Sequence, residues 1–215
     1  MKKVLSILLC ILLLTGCSSN LDLKNYDSIF DTFLNNDSSL VNFNSAGYKY
    51  YLPTGVKVLE SNDYNDKLYF NGYNYYLYID IVSYYNEINV DYNVDNTLFY
   101  SKELDYNGKN GYVEISKIDD LYKITMYYNY AKMEGYTSLD DIGSTLVNMC
   151  YILNSIKFNR PVIELSISDE VTNSEEEIYD FYKPKEKTGN FIDYVNQFGE
   201  YKEEVNENNI GNEGN

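Results

Sequence analysis

A chain of 215 residues with 17 Lys and Arg against 33 Asp and Glu carries a formal charge of −16 and has no histidine. That excludes imidazole base catalysis, His-based triads and His-ligated zinc, and the acid excess argues against nucleic acid, whose phosphates need clustered Lys and Arg. Hydrophobic residues at 44% with 26 tyrosines suit one globular domain plus extra segments, neither a wholly disordered chain nor a multi-pass membrane protein.

At the N-terminus, Lys2 and Lys3 precede an almost unbroken apolar run from Leu5 to Leu14. Ten such residues span about 15 Å as a helix, half the ~30 Å hydrocarbon core, so the run reads as the h-region of a signal segment. It resembles the signal peptide of bacterial lipoproteins, with Leu14, Thr15, Gly16 and Cys17 matching the lipobox. The resemblance implies diacylglyceryl transfer to the Cys17 thiol and cleavage between Gly16 and Cys17. Residues 1–16 are then a signal peptide, 17–24 a lipidated tether, and the protein sits on the extracytoplasmic face of the cell membrane. An ordinary secretory signal with an incidental Cys is the alternative. The mature chain would hold 15 basic against 33 acidic residues, a side-chain charge of −18 that repels anionic headgroups. One arginine (Arg160) beside 16 lysines, with abundant Asn and Tyr, matches AT-rich coding. Loss of Cys10 and acylation of Cys17 leave Cys150 alone, so no intramolecular disulfide forms; Cys150 reads as a buried core thiol, since a nucleophile would lack an imidazole partner.

The body is expected over residues 25–167. Tyr26, Ile29, Phe30, Phe33 and Leu34 recur at helical spacing, and Asn35-Asn36-Asp37-Ser38-Ser39 stops that helix. Short strands follow at Tyr48–Leu52 and Val56–Glu60 around Pro53-Thr54-Gly55. Lys67–Phe70 meets a long strand, Tyr73–Tyr85, across Asn71-Gly72, a dipeptide that supplies φ > 0 at both turn positions. Leu98–Tyr106 and Gly111–Ile118 flank Asn107-Gly108-Lys109-Asn110, and Asp119-Asp120 turns the chain into Leu121–Met133, read as one strand. Alternation puts Leu77, Ile79 and Ile81 on one face and Tyr76, Tyr78, Asp80 and Tyr84 on the other; Tyr122, Ile124, Met126 and Tyr128 likewise oppose Lys123, Thr125, Tyr127 and Asn129. A helix opens at Ser138-Leu139-Asp140-Asp141 with Ser as N-cap and carries Leu139, Ile142, Leu146, Cys150, Leu153 and Ile156 on one stripe. Arg160-Pro161 closes it. Val162–Ile167 suggests one more edge strand. The fold class is therefore α+β, an antiparallel sheet covered on one face by an N-terminal and a long C-terminal helix.

Tyr51-Leu52-Pro53-Thr54-Gly55 and Ile152-Leu153-Asn154-Ser155-Ile156-Lys157-Phe158 give residues 26–160 a weak similarity to the PsbP/Mog1-type α/β sandwich. It implies an architecture and carries no catalytic residue across. Residues 168–215 hold 13 acids and four lysines and read as an acidic, largely disordered tail. Within it, Phe191, Tyr194, Val195, Phe198, Tyr201 and Val205 form an amphipathic stripe over 190–205, suited to docking on its own domain or on a partner, unless it arises by chance.

Asp91, Asn93 and Asp95 space oxygen atoms as an EF-hand loop begins, but Lys102 stands at the twelfth position where a bidentate Glu is needed. A polar loop between strands is the better reading, and neither metal nor cofactor is expected. Carboxylates are abundant, yet only Asp80 is singled out by alternation, and no Trp offers a sugar platform, so an enzyme is not expected. Tyr76, Tyr78, Asp80, Tyr84 and Tyr127 form the candidate partner surface, because tyrosine joins a large rigid contact area to a polar tip. AT-rich coding and the β-propensity of Tyr would produce the same residues without any binding role. The expected function is a membrane-anchored binding or envelope-assembly module, touching the membrane through its lipid and an envelope protein through this surface. The alternatives are an extracytoplasmic carboxylate-dependent hydrolase and a small-ligand carrier using the gap between sheet and helix.

Overall fold

A computed structural model describes residues 22–62 and 64–168. The expected signal segment, Cys17 and the expected stripe of Phe191, Tyr194, Val195 and Phe198 in the acidic C-terminal residues lie outside the described residues.

The first helix, α1 (Tyr26–Leu34), starts where the Asn25 side chain accepts a hydrogen bond from the Ser28 amide at 3.1 Å. Capping satisfies one of the amides a helix start leaves orphaned, and the apolar spacing then buries Ile29, Phe30 and Leu34. Next come β1 (Phe43–Asn44) and β2 (Tyr48–Tyr50), which belong to a small antiparallel sheet. A seven-stranded antiparallel sheet is built from β3 (Lys57–Asn62), β4 (Asn65–Phe70), β5 (Tyr73–Ile79), β6 (Tyr100–Tyr106), β7 (Lys109–Ile118), β8 (Leu121–Tyr128) and β9 (Ala131–Thr137). Its order is β3-β4-β5-β9-β8-β7-β6, so two meanders meet where β5 pairs with β9. Asn71-Gly72 and Asn107-Gly108 turn two hairpins with positive φ at both residues, as two-residue connections between right-twisted strands require.

The expected single strand over Tyr73–Tyr85 is corrected. β5 ends at Ile79, and the Asp80 carboxylate accepts from the Ser83 amide at 2.9 Å, capping a short helix α2 (Ile81–Tyr85). Local side-chain capping here outcompetes the strand pattern. The single strand over Leu121–Met133 is also corrected: it is a hairpin, turned at Asn129-Tyr130 with φ of 54° and 58°. Ser138 is not a side-chain cap; its hydroxyl donates to Asp141 at 2.7 Å, Leu139–Asp141 forms a 3₁₀ turn, and Leu139 stays exposed. The long helix α3 (Ile142–Ser155) follows, with Leu146, Cys150 and Leu153 buried as its stripe requires.

Arg160-Pro161 does not close that helix. α3 ends at Ser155, β10 (Lys157–Phe158) pairs with β2, and Arg160-Pro161 opens a further helix, α4 (Arg160–Ser168). The edge strand expected at Val162–Ile167 is therefore helical. Proline lacks only an amide that the first turn cannot use, and the Asn159 carbonyl accepts from the Val162 and Ile163 amides at 3.0 and 3.1 Å.

Helix α3 packs against α1, β8 and β9. Ile124, Met126 and Met133 from the strands and Leu146, Met149 and Cys150 from the helix are all fully buried in one core. The described chain is thus α+β, with a seven-stranded and a three-stranded antiparallel sheet.

Candidate functional site

Strand alternation leaves one set of side chains on the outer face of the large sheet, and register decides which of them meet. Tyr76 stands opposite Lys67 on one side and Glu134 on the other, while Tyr78 stands between Asn65 and Lys132. Tyr127 lies opposite Lys132 and Tyr112. Tyr78, Lys132, Tyr127 and Tyr112 therefore form a row across β5, β9, β8 and β7. The two rings at its end are nearly parallel, with centroids 6.0 Å apart and planes at 8°.

Sequence reasoning missed the next member. Tyr92, from the connection between α2 and β6, stacks on Tyr112 at 4.5 Å and 5°, and its hydroxyl donates to Glu114 at 3.1 Å. No periodicity marks a loop residue that folds back on a strand; only three-dimensional proximity shows it. Lys123 and Lys132 both reach Glu134, at 3.3 and 3.9 Å, so the aromatic rows are interleaved with compensated charge. Cross-strand aromatic and opposite-charge pairs of this kind each contribute roughly 0.2–1 kcal/mol relative to Ala pairs.

Tyr127 is nearly buried, at 7% exposure, and its hydroxyl donates to the second oxygen of Asp80 at 3.4 Å. Burial, then the nearby Asp80 charge, pushes the phenol well above its ordinary pKa, so it stays protonated as a donor. Burial likewise raises Tyr76. Asp80 is thereby committed on both oxygens, one to the α2 cap and one to Tyr127. Tyr84 leaves the face altogether: in α2 its ring stacks on Phe158 at 3.9 Å and meets Tyr130 edge-on at 5.7 Å. The structure thus brings Tyr76, Tyr78, Asp80 and Tyr127 together, adds Tyr92 and Tyr112, and removes Tyr84.

The remaining candidates separate. Asp91 and Asn93 are exposed, and one Asp95 oxygen accepts from both the amide and the hydroxyl of Thr97, at 2.8 and 2.7 Å, which lowers its pKa. Among the described residues, no group of three His, Cys, Asp or Glu could hold a metal ion. Cys150 is a fully buried free thiol, and burial pushes its pKa upward, away from thiolate chemistry.

A buried carboxylate was not singled out by the sequence. Asp66, fully buried on β4, accepts hydroxyl hydrogen bonds from Tyr48 and Tyr50, each at 3.0 Å, and from Ser61 at 2.5 Å. Desolvation raises its pKa, and the three donated hydrogen bonds oppose that rise. No ion pair joins it among the described residues, so this is a hydroxyl-lined carboxylate holding the small sheet to the large one.

No protein-family model matches the chain, and no curated protein sequence matches it.

Proposed function

We propose that this protein is an extracytoplasmic lipoprotein, held at the cell membrane by acyl chains on Cys17, whose body works as a binding or envelope-assembly module without cofactor or catalysis. One observation carries the reading: Lys2-Lys3, the Leu5–Leu14 run and Leu14-Thr15-Gly16-Cys17 occur in the required order and spacing. Each buried acyl CH₂ contributes about 0.8 kcal/mol, so two or three chains on one sulfur hold far more durably than one. The boundaries follow as 1–16 signal, 17–24 tether, 25–167 body and 168–215 acidic tail, with the body a PsbP/Mog1-like sandwich whose sheet is covered on one face by α1 and α3.

The interleaved tyrosine face supports a protein partner in the envelope. The phenols of Tyr76, Tyr92 and Tyr127 are held protonated by burial, the rings of Tyr92, Tyr112 and Tyr127 stack on one another, and Glu134 balances Lys123 and Lys132, which suits a rigid patch that loses little entropy on docking. A hydrolase is less well supported, because Asp80 is committed to a helix cap and a phenol. Filling of the space between sheet and helix by Ile124, Met126, Met133, Leu146 and Met149 weakens the carrier reading.

Metabolic labelling with an alkyne palmitate tests the anchor. The wild-type chain is expected to carry label and to sediment with membranes, and Cys17→Ser to lose both. An unlabelled wild-type chain would overturn the reading.

A further inference from the structure

The small sheet presents a charge arrangement that fold stability does not favour. In its order β1-β2-β10, Lys49 of β2 is the direct antiparallel partner of Lys157 of β10, and Asn44 of β1 is the partner of Lys49 on the other side. Asn44, Lys49 and Lys157 therefore form one cross-strand row. Tyr48 and Tyr50, on either side of Lys49, are buried, so the row faces outward and both lysines are exposed. Like charges directly opposite each other in a sheet are destabilising. In a chain with 17 cations against 33 anions, such a pair is unexpected without a compensating acid. Neither Lys49 nor Lys157 has an ion-pair partner among the described residues; Lys57 and Lys117 share that condition, but they stand opposite Tyr69 and Tyr122 and not opposite another cation.

A third cation stands beside them. Arg160 and the two lysines line an open hollow of about 560 Å³. The wall is fixed in place: the Asn159 amide donates to the Gly47 carbonyl at 2.8 Å, tying the loop before β2 to the start of α4. Arg160 itself is shared, lying 3.3 Å from exposed Glu87 and over the Tyr85 ring. Its partner is a surface carboxylate that a stronger anion can displace.

We propose that this hollow binds a phosphate monoester or phosphodiester group, with Lys49 and Lys157 as its point charges and Arg160 and Asn44 as additional donors. Two ammonium groups side by side suit a ligand with more than one anionic or acceptor oxygen: a phosphate monoester supplies three non-bridging oxygens and up to two charges, and a phosphodiester two non-bridging oxygens on a tetrahedral centre with two ester oxygens beside them, where a carboxylate supplies two in one plane. The inference does not depend on acylation at Cys17. A lipid headgroup and a soluble phosphate ester both present anionic phosphate oxygens, and the test separates them.

The purified full chain, ¹⁵N-labelled, is titrated with glycerol phosphate and, at matched ionic strength, with acetate. It is then mixed with phosphatidylcholine vesicles with and without phosphatidylglycerol. Saturable shifts centred on residues 44–49 and 157–161 are expected with glycerol phosphate and not with acetate. Lys49→Gln or Lys157→Gln alone should weaken binding about fivefold, and the two together about 25-fold, while Lys49→Arg with Lys157→Arg retains it. Engagement of phosphatidylglycerol vesicles alone assigns the group to a headgroup and still supports the site. Overturning results are no response to either phosphate source, an equal response to acetate, or an unchanged response in a correctly folded double-Gln variant.

Discussion

Asp66 shows how much one residue can hold. Its carboxylate ties together Tyr48 and Tyr50 of β2 and Ser61 of β3, so three hydroxyls depend on two oxygens. Asp66→Ala would leave those donors unmatched in a dry interior and should cost roughly 2–5 kcal/mol in urea unfolding. Asp66→Asn keeps an acceptor and removes the charge, which makes the variant a reporter of linkage. Because burial raises the folded pKa above the unfolded value, the native state binds the proton more tightly. The favourable contribution is full below the unfolded pKa of about 3.9 and is lost as pH rises through the folded pKa. Unfolding curves from pH 3 upward should therefore show Asp66→Asn gaining on the wild type with rising pH. A wild-type-to-variant difference that is flat with pH would falsify this assignment. Nothing in the sequence distinguished Asp66 from 32 other acids, since its partners Tyr48 and Tyr50 come from a different sheet.

Elements were legible wherever a local rule acted alone. The spacing of Tyr26, Ile29, Phe30 and Leu34 and the Asn71-Gly72 turn each report a short-range preference, and both stand in the fold. Reading failed where a distant group decided the outcome. Tyr128 to Ala131 looks like uninterrupted strand because a Tyr at a turn position carries no signal. Yet the chain turns there because Asn129 is needed elsewhere: its amide donates to the Leu153 and Ile156 carbonyls at 3.0 and 3.1 Å, satisfying the C-terminal end of α3. Val162–Ile167 has the composition of a strand, but Asn159 and Pro161 had already set a helix start. Asn129→Gly keeps the left-handed backbone and loses only the two hydrogen bonds, so it should cost about 1–3 kcal/mol. Asn129→Ala should cost about 1 kcal/mol more, because a Cβ is disfavoured at φ of 54°. Chemical denaturation of both variants separates the terms, and equal losses would mean that backbone strain plays no part.

At the scale of the whole molecule, the proposed signal segment, the tyrosine face and the cationic hollow are legible in the sequence to different degrees. The first is contiguous and reads directly. The second was half visible, since alternation shows which tyrosines share a strand face while the Tyr92–Tyr112–Tyr127 stack joins a loop to two strands. The third was invisible, because Lys49 and Lys157 lie 108 residues apart in the chain and only β-pairing sets them side by side. These features act through separate parts, so they should fail separately. Cys17→Ser should release the protein from membranes and leave the melting temperature of the body within about 1 °C of wild type, since changes remote from packed groups rarely exceed ±0.5 kcal/mol. Tyr76→Ser with Tyr78→Ser should do the reverse: membrane attachment persists, the body loses about 1–2 kcal/mol from two cross-strand contacts, and photo-crosslinks from a probe at residue 112 to envelope proteins disappear. Crosslinks that survive intact in the double-Ser variant would exclude the outer sheet face as the docking surface, whatever the fate of the lipid.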